Sequence, residues 1–203
     1  RSGVKEESIF FVGNTMIDTL LKNMERLRRP SIWERSGLKE GHYIVMTLHR
    51  PANVDEEMKL KDLVDEIVLN SRGEPLIFPV HPRTSKILQR LGSHASNLHL
   101  IEPLGYLEFN YLVRYARAVI TDSGGITEET TVMGIPCMTL RDNTERPETI
   151  TIGTNVLVGT NPKNIAPVLE RLFSGTWKKG GIPEKWDGKA SERIVDILLQ
   201  ILS

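Results

Sequence analysis

The segment at residues 121–129, TDSGGITEE, holds the residue types best suited to bind an anion. An apolar run predicts a buried strand just before it at 118–120, and a helical pattern follows at 126–133. Gly124 and Gly125 allow backbone angles closed to other residues and place no side chain in the way. A strand, a glycine turn and a helix start bring unpaired N–H groups and the positive helix end into one small space. The pattern predicts an anion site, with an ordinary strand-to-helix turn as the alternative.

Polar side chains flank this turn. We expect Ser123 or Asp122 to cap the helix that follows. The carboxylates Glu128 and Glu129 fall in its first turns, where one of them could accept hydrogen bonds from sugar hydroxyls. A ligand that carries both a phosphate and a sugar would suit this combination.

Composition describes a globular chain with ample material for a core. Its 203 residues are 39% hydrophobic and 26% charged, and this length is typical of one domain. Lys+Arg and Asp+Glu balance at 26 each, so no global charge favours nucleic acid or an acidic membrane surface. The apolar neighbours of Cys137, the single cysteine, predict a buried thiol in a reducing compartment, and we expect the cytoplasm. No apolar run approaches the roughly 18 residues of a membrane span. Because the chain begins at Arg1 rather than Met, we expect a piece of a longer protein.

Strands and helices alternate along the chain, which predicts a parallel sheet covered by helices on both faces. Strands are predicted at 43–48, 76–80, 98–101, 118–121, 137–140 and 155–158. Helices are predicted at 15–28, 55–70 with Asp55 as its cap, 84–91, 106–117, 126–133, 162–173 and 190–202, with a polar connection at 34–42 and a loop at 175–188. The expected fold class is a Rossmann-like three-layer α/β sandwich with about six parallel strands.

In such a sheet, ligands bind beyond the carboxyl ends of the strands, where the strand order reverses. If the order is the common 3-2-1-4-5-6, that point lies between the strands at 43–48 and 118–121. His49 and Arg50 directly follow the first of these strands, and the glycine turn follows the second. His81 ends a neighbouring strand and adds to the same rim. A site for a phosphorylated ligand is therefore predicted at this point of the sheet.

Each candidate side chain also has an ordinary structural explanation. His49 could donate to a backbone carbonyl instead of bonding a phosphate or a leaving group. Arg146 could be a solvated cation, but Arg141 and Arg146 flank a polar loop and a guanidinium fork suits phosphate. Phe109 falls in step with core positions of its helix, or it could stack on a base at the helix edge.

Motifs for metal binding and for common nucleophilic chemistry are missing from the sequence. The five histidines and one cysteine lack metal-ligand spacing, so neither a metal nor a cofactor is expected. The chain has no Walker A lysine motif, GxSxG elbow or Cys-His pattern. Hydrolase and kinase functions therefore find no support.

Several segments in order along most of the chain resemble the non-hydrolysing UDP-N-acetylglucosamine 2-epimerases. They are VGNTMID at 12–18, TLHRPAN at 47–53, HP at 81–82, PLGY at 103–106, TDSGGITEE at 121–129 and RDNTERPE at 141–148. The resemblance implies one half of a GT-B-like architecture, in which UDP-sugar binds between two Rossmann-like domains. Residues 1–203 would be the carboxyl-terminal UDP-binding domain, and the amino-terminal domain would be absent from this chain.

The resemblance also implies a division of labour in the substrate site. Ser123, Gly124 and Gly125 would hold the diphosphate at the helix start. Glu129 would take the ribose hydroxyls, and Phe109 would face uracil.

The remaining implied roles concern the reacting bond and a second site. His49 would reach the phosphate side of the scissile C1–O bond as the catalytic residue of this half, with Arg146 in the same pocket. Arg50 and His81 resemble the contribution that this half makes to a regulatory UDP-sugar site in bacterial relatives.

The family's reaction, as the resemblance implies, interconverts UDP-N-acetylglucosamine and UDP-N-acetylmannosamine. Removal of the C2 proton and expulsion of UDP give 2-acetamidoglucal, and UDP adds back after reprotonation on the other face. The carboxylates that move the proton would belong to the amino-terminal domain, so this chain alone should bind UDP or UDP-sugar weakly and turn nothing over. The full-length isomerase is expected to form a homodimer without nucleic-acid or membrane partners, and to serve cell-surface polysaccharide biosynthesis.

Some positions depart from the family pattern. Ala52 and Thr127 stand where the family usually has Glu and Gln, and Leu104 stands where it often has Gln. Leu104 offers no side-chain amide to uracil, so base recognition would rest on backbone groups. Two other functions stay open: the nucleotide-sugar-binding domain of a GT-B glycosyltransferase, and a non-catalytic module that binds UDP or serves as an assembly interface. The RDxTERPE segment favours the epimerase.

Overall fold

Short parallel strands form one sheet at the centre of the fold. A computed structural model describes residues 3–93 and 95–202, with all their side chains except that of Ala52, so the prediction for that side chain lies outside the described part. The strands are β1 (Ile44–Thr47), β2 (Leu76–Pro79), β3 (Leu98–Ile101), β4 (Ala118–Thr121), β5 (Cys137–Thr139) and β6 (Asn155–Leu157). The sheet is 6-stranded and its order is β3-β2-β1-β4-β5-β6, which confirms the predicted order. The point of reversal therefore lies between the carboxyl ends of β1 and β4, where Thr47 pairs with Thr121.

Helices cover both faces of this sheet. They are α1 (Thr15–Asn23), α2 (Ser31–Arg35), α3 (Pro51–Val54), α4 (Glu57–Asn70), α5 (Pro82–Arg90), α6 (Tyr106–Tyr115), α7 (Gly124–Met133), α8 (Pro147–Thr151), α9 (Ile165–Phe173) and α10 (Ala190–Leu202). Alternate residues of β1 enter different hydrophobic clusters, because successive side chains of a strand point to opposite faces. Ile44 and Met46 pack in one cluster with residues of α4 and α9, and Val45 packs in another with residues of α6. The three-layer Rossmann-like sandwich is confirmed.

The long helix predicted to follow Asp55 is confirmed as α4, but the prediction that Asp55 caps it is wrong. The chain forms α3 directly after Arg50, because Pro51 suits the first position of a helix. Asp55 is the C-cap of that short helix and donates its backbone N–H to the carbonyl of Pro51. Glu56 then precedes α4 as its N-cap. This break turns the chain immediately after the histidine and arginine that follow β1.

The short helices α2 and α8 were not predicted. Helix α2 lies partly in a stretch with few apolar residues, yet Ile32 is buried and Trp33 contacts Tyr43 edge to face, with ring centroids 5.6 Å apart. Helix α8 begins at Pro147, directly after the arginine of the RDNTERPE segment. Both helices were missed because one turn of helix carries little periodic signal.

The two ends of the described chain meet at α1. Asp18 of α1 accepts hydrogen bonds from the backbone N–H of Ala190 at 3.0 Å and of Ser191 at 2.7 Å, which caps the start of α10. The predicted loop at 175–188 is confirmed as a loop, and its Trp186 packs against Ile17 of α1 in a third hydrophobic cluster. Over the residues that the structure describes, no helix is both long and apolar enough to cross a membrane.

Candidate functional site

Asp122 ties the carboxyl ends of β1 and β4 together. Its side chain is fully buried, and Oδ2 accepts hydrogen bonds from the backbone N–H of Arg50 at 2.9 Å and from the Asn53 amide at 3.1 Å. Oδ1 accepts from the backbone N–H of His49 at 3.2 Å and lies 2.8 Å from Nδ1 of the same residue. The Arg50 side chain donates through Nε to the Asp122 carbonyl at 3.1 Å. One carboxylate thus holds the whole turn that carries the predicted histidine and arginine.

The sequence identified Asp122 only as a candidate cap of the next helix. It does not fill that role, since the N-cap of α7 is Ser123, whose side chain makes no capping hydrogen bond. The available signal was an acidic residue directly after a buried strand, beside the strand that precedes His49. Asp122 and His49 can be recognised as neighbours only when the strand order is known.

The start of α7 is the predicted anion site. Helix α7 begins at Gly124, two residues earlier than predicted. The backbone N–H of Ser123 donates to Thr121 Oγ1 at 3.0 Å, so the turn between strand and helix is fixed from within. The first-turn N–H groups of a helix have no intrahelical acceptors and carry its positive partial charge.

The glycines of this turn are not needed for the backbone angles that were predicted of them. Neither Gly124 nor Gly125 is among the glycines with a positive φ, so neither is needed for backbone freedom. A Cβ added at Gly125 would lie 2.8 Å from Cε of Met16, so this glycine lets α1 pack closely on α7. A Cβ added at Gly124 would find Nη1 of Arg141 as its nearest neighbour, at 3.8 Å. The surface above Gly124 therefore has room for a ligand and a guanidinium beside it.

Positive charge gathers next to this helix start. Arg141, which is almost fully buried, donates through Nη2 to Oε1 of Glu145 at 3.1 Å. That hydrogen bond lowers the pKa of Glu145, and the nearby charges of Arg50 and Arg146 lower it further. Three guanidinium groups, those of Arg141, Arg50 and Arg146, thus lie near enough to the exposed carboxylate of Glu145 to influence its charge.

Arg146 is anchored by α7 itself. Its Nε donates to Oε1 of the buried Glu128, and this bond raises the pKa of Arg146. Half of the Arg146 side chain stays exposed. The interpretation of Arg146 as an unattached solvated cation is therefore wrong, and Glu128 is its counter-ion rather than a free acceptor for sugar hydroxyls.

Glu129 lies on the other side of α7, facing α6. Its side chain is 5% exposed, and Oε1 accepts a hydrogen bond from the Tyr106 hydroxyl at 2.9 Å. Burial raises the pKa of Glu129, although the hydrogen bond from Tyr106 works in the opposite direction. Phe109 is half-buried and packs against the cluster on this face of the sheet, one helical turn from Tyr106. Phe109 therefore contributes to the core on this face while part of it stays exposed.

A separate cavity of about 380 Å³ lies between the carboxyl ends of β1 and β2. Its walls include His49, His81 and Arg83. His81 caps α5, with Nδ1 accepting the backbone N–H of Arg83 at 3.3 Å. The structure therefore brings His81 next to His49, while the Arg50 side chain is tied to β4 rather than to this cavity. Within the described part of the chain, no three His, Cys, Asp or Glu side chains lie close enough to hold a metal ion.

Comparisons with known proteins point to one family. A family profile described as UDP-N-acetylglucosamine 2-epimerase matches residues 1–199. The UDP-N-acetylglucosamine 2-epimerase of Methanocaldococcus jannaschii is 39% identical over 98% of this chain and 56% of its own length. A crystal structure of that organism's enzyme, in complex with UDP-GlcNAc and UDP, superposes with a TM-score of 0.80 over 98% of this chain and 57% of its own, at 37% identity.

A second solved structure gives the same result. The UDP-GlcNAc 2-epimerase of Neisseria meningitidis, bound to UDP-GlcNAc, is 33% identical and has a TM-score of 0.82 over 97% of this chain and 57% of its own. The chain thus spans a little over half the length of these relatives. The glycosyltransferase alternative gains no comparable support. By profile, sequence and fold, this chain belongs to the UDP-N-acetylglucosamine 2-epimerase family.

Proposed function

We propose that this chain is the carboxyl-terminal, UDP-binding domain of an isomerase that interconverts UDP-N-acetylglucosamine and UDP-N-acetylmannosamine. The observation that carries the proposal is the start of α7, where unpaired N–H groups lie beside Arg141 and face the turn that Asp122 holds. An anion of two phosphate groups fits the helix end and the guanidinium together. Glu129 then lies one turn into α7, within reach of hydroxyl groups on the attached ribose.

His49 is the residue of this half proposed to act on the reacting bond. Expulsion of UDP places growing negative charge on the diphosphate oxygen that leaves C1. A donor fixed in advance at that position lowers the barrier more than it strengthens substrate binding. The negative charge of the diphosphate is also bound at the start of α7, by Ser123, Gly124 and Gly125. Arg146 adds a guanidinium that Glu128 holds in place.

Gly124 offers a direct test of the diphosphate position. We compare Gly124→Asp with Gly124→Asn in the 203-residue chain, because the two side chains have almost the same size and differ in charge. Both fit the observed backbone, since the nearest atom to a new Cβ lies at 3.8 Å. We expect the Asp variant to bind UDP at least about tenfold more weakly than the Asn variant, since a second anion would occupy the helix end. Calorimetric titration measures the difference, and equal affinities for UDP would contradict the assignment.

The rest of the catalytic machinery is proposed to reside in an amino-terminal half like the remainder of the relatives. A site made by one half leaves the reacting bond open to water and lacks carboxylates for the C2 proton. The 203-residue chain should therefore bind UDP weakly and convert no UDP-N-acetylglucosamine. Turnover by the purified chain, followed by separation of the two UDP-sugars, would contradict this division.

An exposed apolar region marks where that half would dock. Helix α10 carries Val195, Leu198, Leu199 and Leu202 at i, i+3, i+4 and i+7, so they form one stripe, and these side chains are between 51% and 81% exposed. Ile9, Phe10 and Phe11 are also exposed. They lie near the start of α10, because Arg193 donates to the carbonyl of Val12 at 3.1 Å. We call these seven residues the chain-end surface, and propose that the amino-terminal half covers it.

The cellular setting completes the proposal. The thiol of Cys137 is fully buried, and burial raises its pKa to about 12, which suits a protein that keeps its cysteine reduced in the cytoplasm. Association of two full-length copies remains a prediction, to be checked by sedimentation of the full-length protein.

A further inference from the structure

Asp122 does more than fold the turn after β1. We propose that it is the positioning residue for His49: it holds the imidazole with a proton on Nδ1 and presents Nε2 to the ligand. The proposal rests on the proposed function for the identity of that ligand. The tautomer and the orientation of the His49 ring do not depend on which ligand binds.

The geometry singles out His49 among the groups that Asp122 binds. Oδ1 lies 2.8 Å from Nδ1, and the backbone N–H of the same residue donates to both carboxylate oxygens, at 3.2 Å and 3.1 Å, so Asp122 contacts both the backbone and the ring of His49. The histidine side chain is 61% exposed, whereas the carboxylate is 0% exposed. Packing therefore does little to orient the ring, and the buried carboxylate is the rigid element that does.

The choice of nitrogen follows from simple chemistry. A carboxylate can only accept, so an Nδ1 that lies 2.8 Å from a carboxylate oxygen must carry a proton. Nε2 is then the nitrogen on the open side of the ring. It can donate to a diphosphate oxygen once the ring carries its second proton, and the negative charge of Asp122 balances the imidazolium so formed. This is the arrangement in which a buried acid orients a histidine that does the chemistry.

The remaining bonds to Asp122 explain why the orientation is firm. Oδ2 accepts from Arg50 and Asn53, and Asn53 also donates to the carbonyl of Leu140 at 3.0 Å. The carboxylate is thus fixed from the β1 turn and from β5 at once. Because the carboxylate cannot rotate, its position determines the orientation of the imidazole ring.

The first test is the tautomer of His49 in the 203-residue chain without ligand. We label histidine with ¹⁵N, assign His49 from the signal lost in His49→Gln, and record long-range ¹H–¹⁵N spectra at a pH where the ring is neutral. The expected result is a proton on Nδ1 and none on Nε2. A proton on Nε2 in the unsubstituted chain overturns the proposal, whatever happens in any variant and whether or not UDP binds.

The second test separates positioning from folding. Asp122→Asn keeps the shape and removes the charge, and Thr47→Val is the matched control because it removes the 2.6 Å hydroxyl contact with Thr121 at the same strand end. We expect the Asn variant to lose the Nδ1–H preference while the control keeps it, with α7 amide signals unchanged in both. In the full-length enzyme the Asn variant should lower kcat on the order of tenfold or more, with little change in KM. A retained Nδ1–H preference in the Asn variant, or an equal effect of the control, would assign Asp122 a structural role only.

Discussion

The site at the carboxyl ends of β1 and β4 and the chain-end surface differ in which side chains are buried and which are exposed. At the strand ends, charged groups are buried and bonded: Asp122 to the β1 turn, Glu128 to Arg146, and Glu129 to Tyr106. On the chain-end surface, large apolar side chains are exposed along one stripe of α10. Buried polar groups are costly unless they are bonded, and exposed apolar stripes are unusual unless something covers them.

This difference indicates which property belongs to the chain alone, namely UDP binding, and which needs a partner domain, namely closure of the site. The groups proposed to face the ligand are fixed by bonds within this chain. When a partner covers the apolar stripe, burial stabilises the complex by about 25 cal/mol for each Å² of apolar surface removed from water. Without a partner, the stripe contributes no such stabilisation. We infer that recognition of UDP resides in this chain and that closure of the site depends on the chain-end surface.

The largest expected effect comes from His49. In the full-length enzyme, His49→Ala should lower turnover on the order of a hundredfold or more, because the variant loses a donor aimed at charge that grows in the transition state. UDP affinity should change little. His42→Ala is the matched control, since His42 is an exposed histidine that lies before β1, at the opposite end of the strand. Full turnover with lost affinity would make His49 a simple anchor.

Glu129→Gln should act on affinity instead. Glu129 would accept hydrogen bonds from hydroxyl groups that are the same in substrate and transition state, and such uniform binding appears mainly as affinity. Loss of the charge-assisted component is worth about 1–2 kcal/mol, which corresponds to roughly five- to thirtyfold in the dissociation constant of UDP. Titration of the 203-residue chain measures it. An unchanged affinity for UDP would show that the ribose does not contact this carboxylate.

The same substitution should stabilise the chain at neutral pH. Burial raises the pKa of Glu129 in the folded state, so its carboxyl favours folding below its unfolded pKa, and this advantage is lost as the pH rises through the folded pKa. Gln carries no charge and avoids that loss. If about 1 kcal/mol is recovered, Tm at pH 7 should rise by roughly 2–4 °C, with the gain fading in acid. A variant less stable than the original chain at every pH would show that the charge is not the cause.

The sequence predicted the sheet better than the site. The apolar runs predicted every strand, because strands buried on both faces give the strongest signal in such a fold. The strand order was assumed to be the common one for such sheets, and the structure has that order. The role of Asp122 could not be predicted, because its partner His49 is distant in sequence and the contact exists only when β1 and β4 are neighbours. The pair of Glu128 and Arg146 was missed for the same reason. The purpose of Gly125 was misjudged because packing against Met16 leaves no mark in the local sequence.

The chain-end surface should have the smallest effect on UDP binding. With its stripe uncovered, the 203-residue chain should self-associate through these apolar side chains. Leu198→Glu combined with Leu199→Glu places charges on the stripe, which should reduce that self-association and leave the UDP affinity unchanged within error. Asp196→Asn, a change at an exposed polar position of the same helix, is the control. Sedimentation velocity over a range of concentrations checks the first effect. A loss of UDP affinity in the double variant would mean that the two regions are coupled.

The most direct test of the central claim is a UDP titration of the ¹⁵N-labelled 203-residue chain, followed by amide chemical shifts. We predict a continuous shift of the signals of Ser123, Gly124 and Gly125, joined by those of His49 and Glu129, with the signals of α10 unchanged. Shifts confined to any other part of the chain, or no shifts with UDP at millimolar concentration, would contradict the claim that the start of α7 binds the diphosphate.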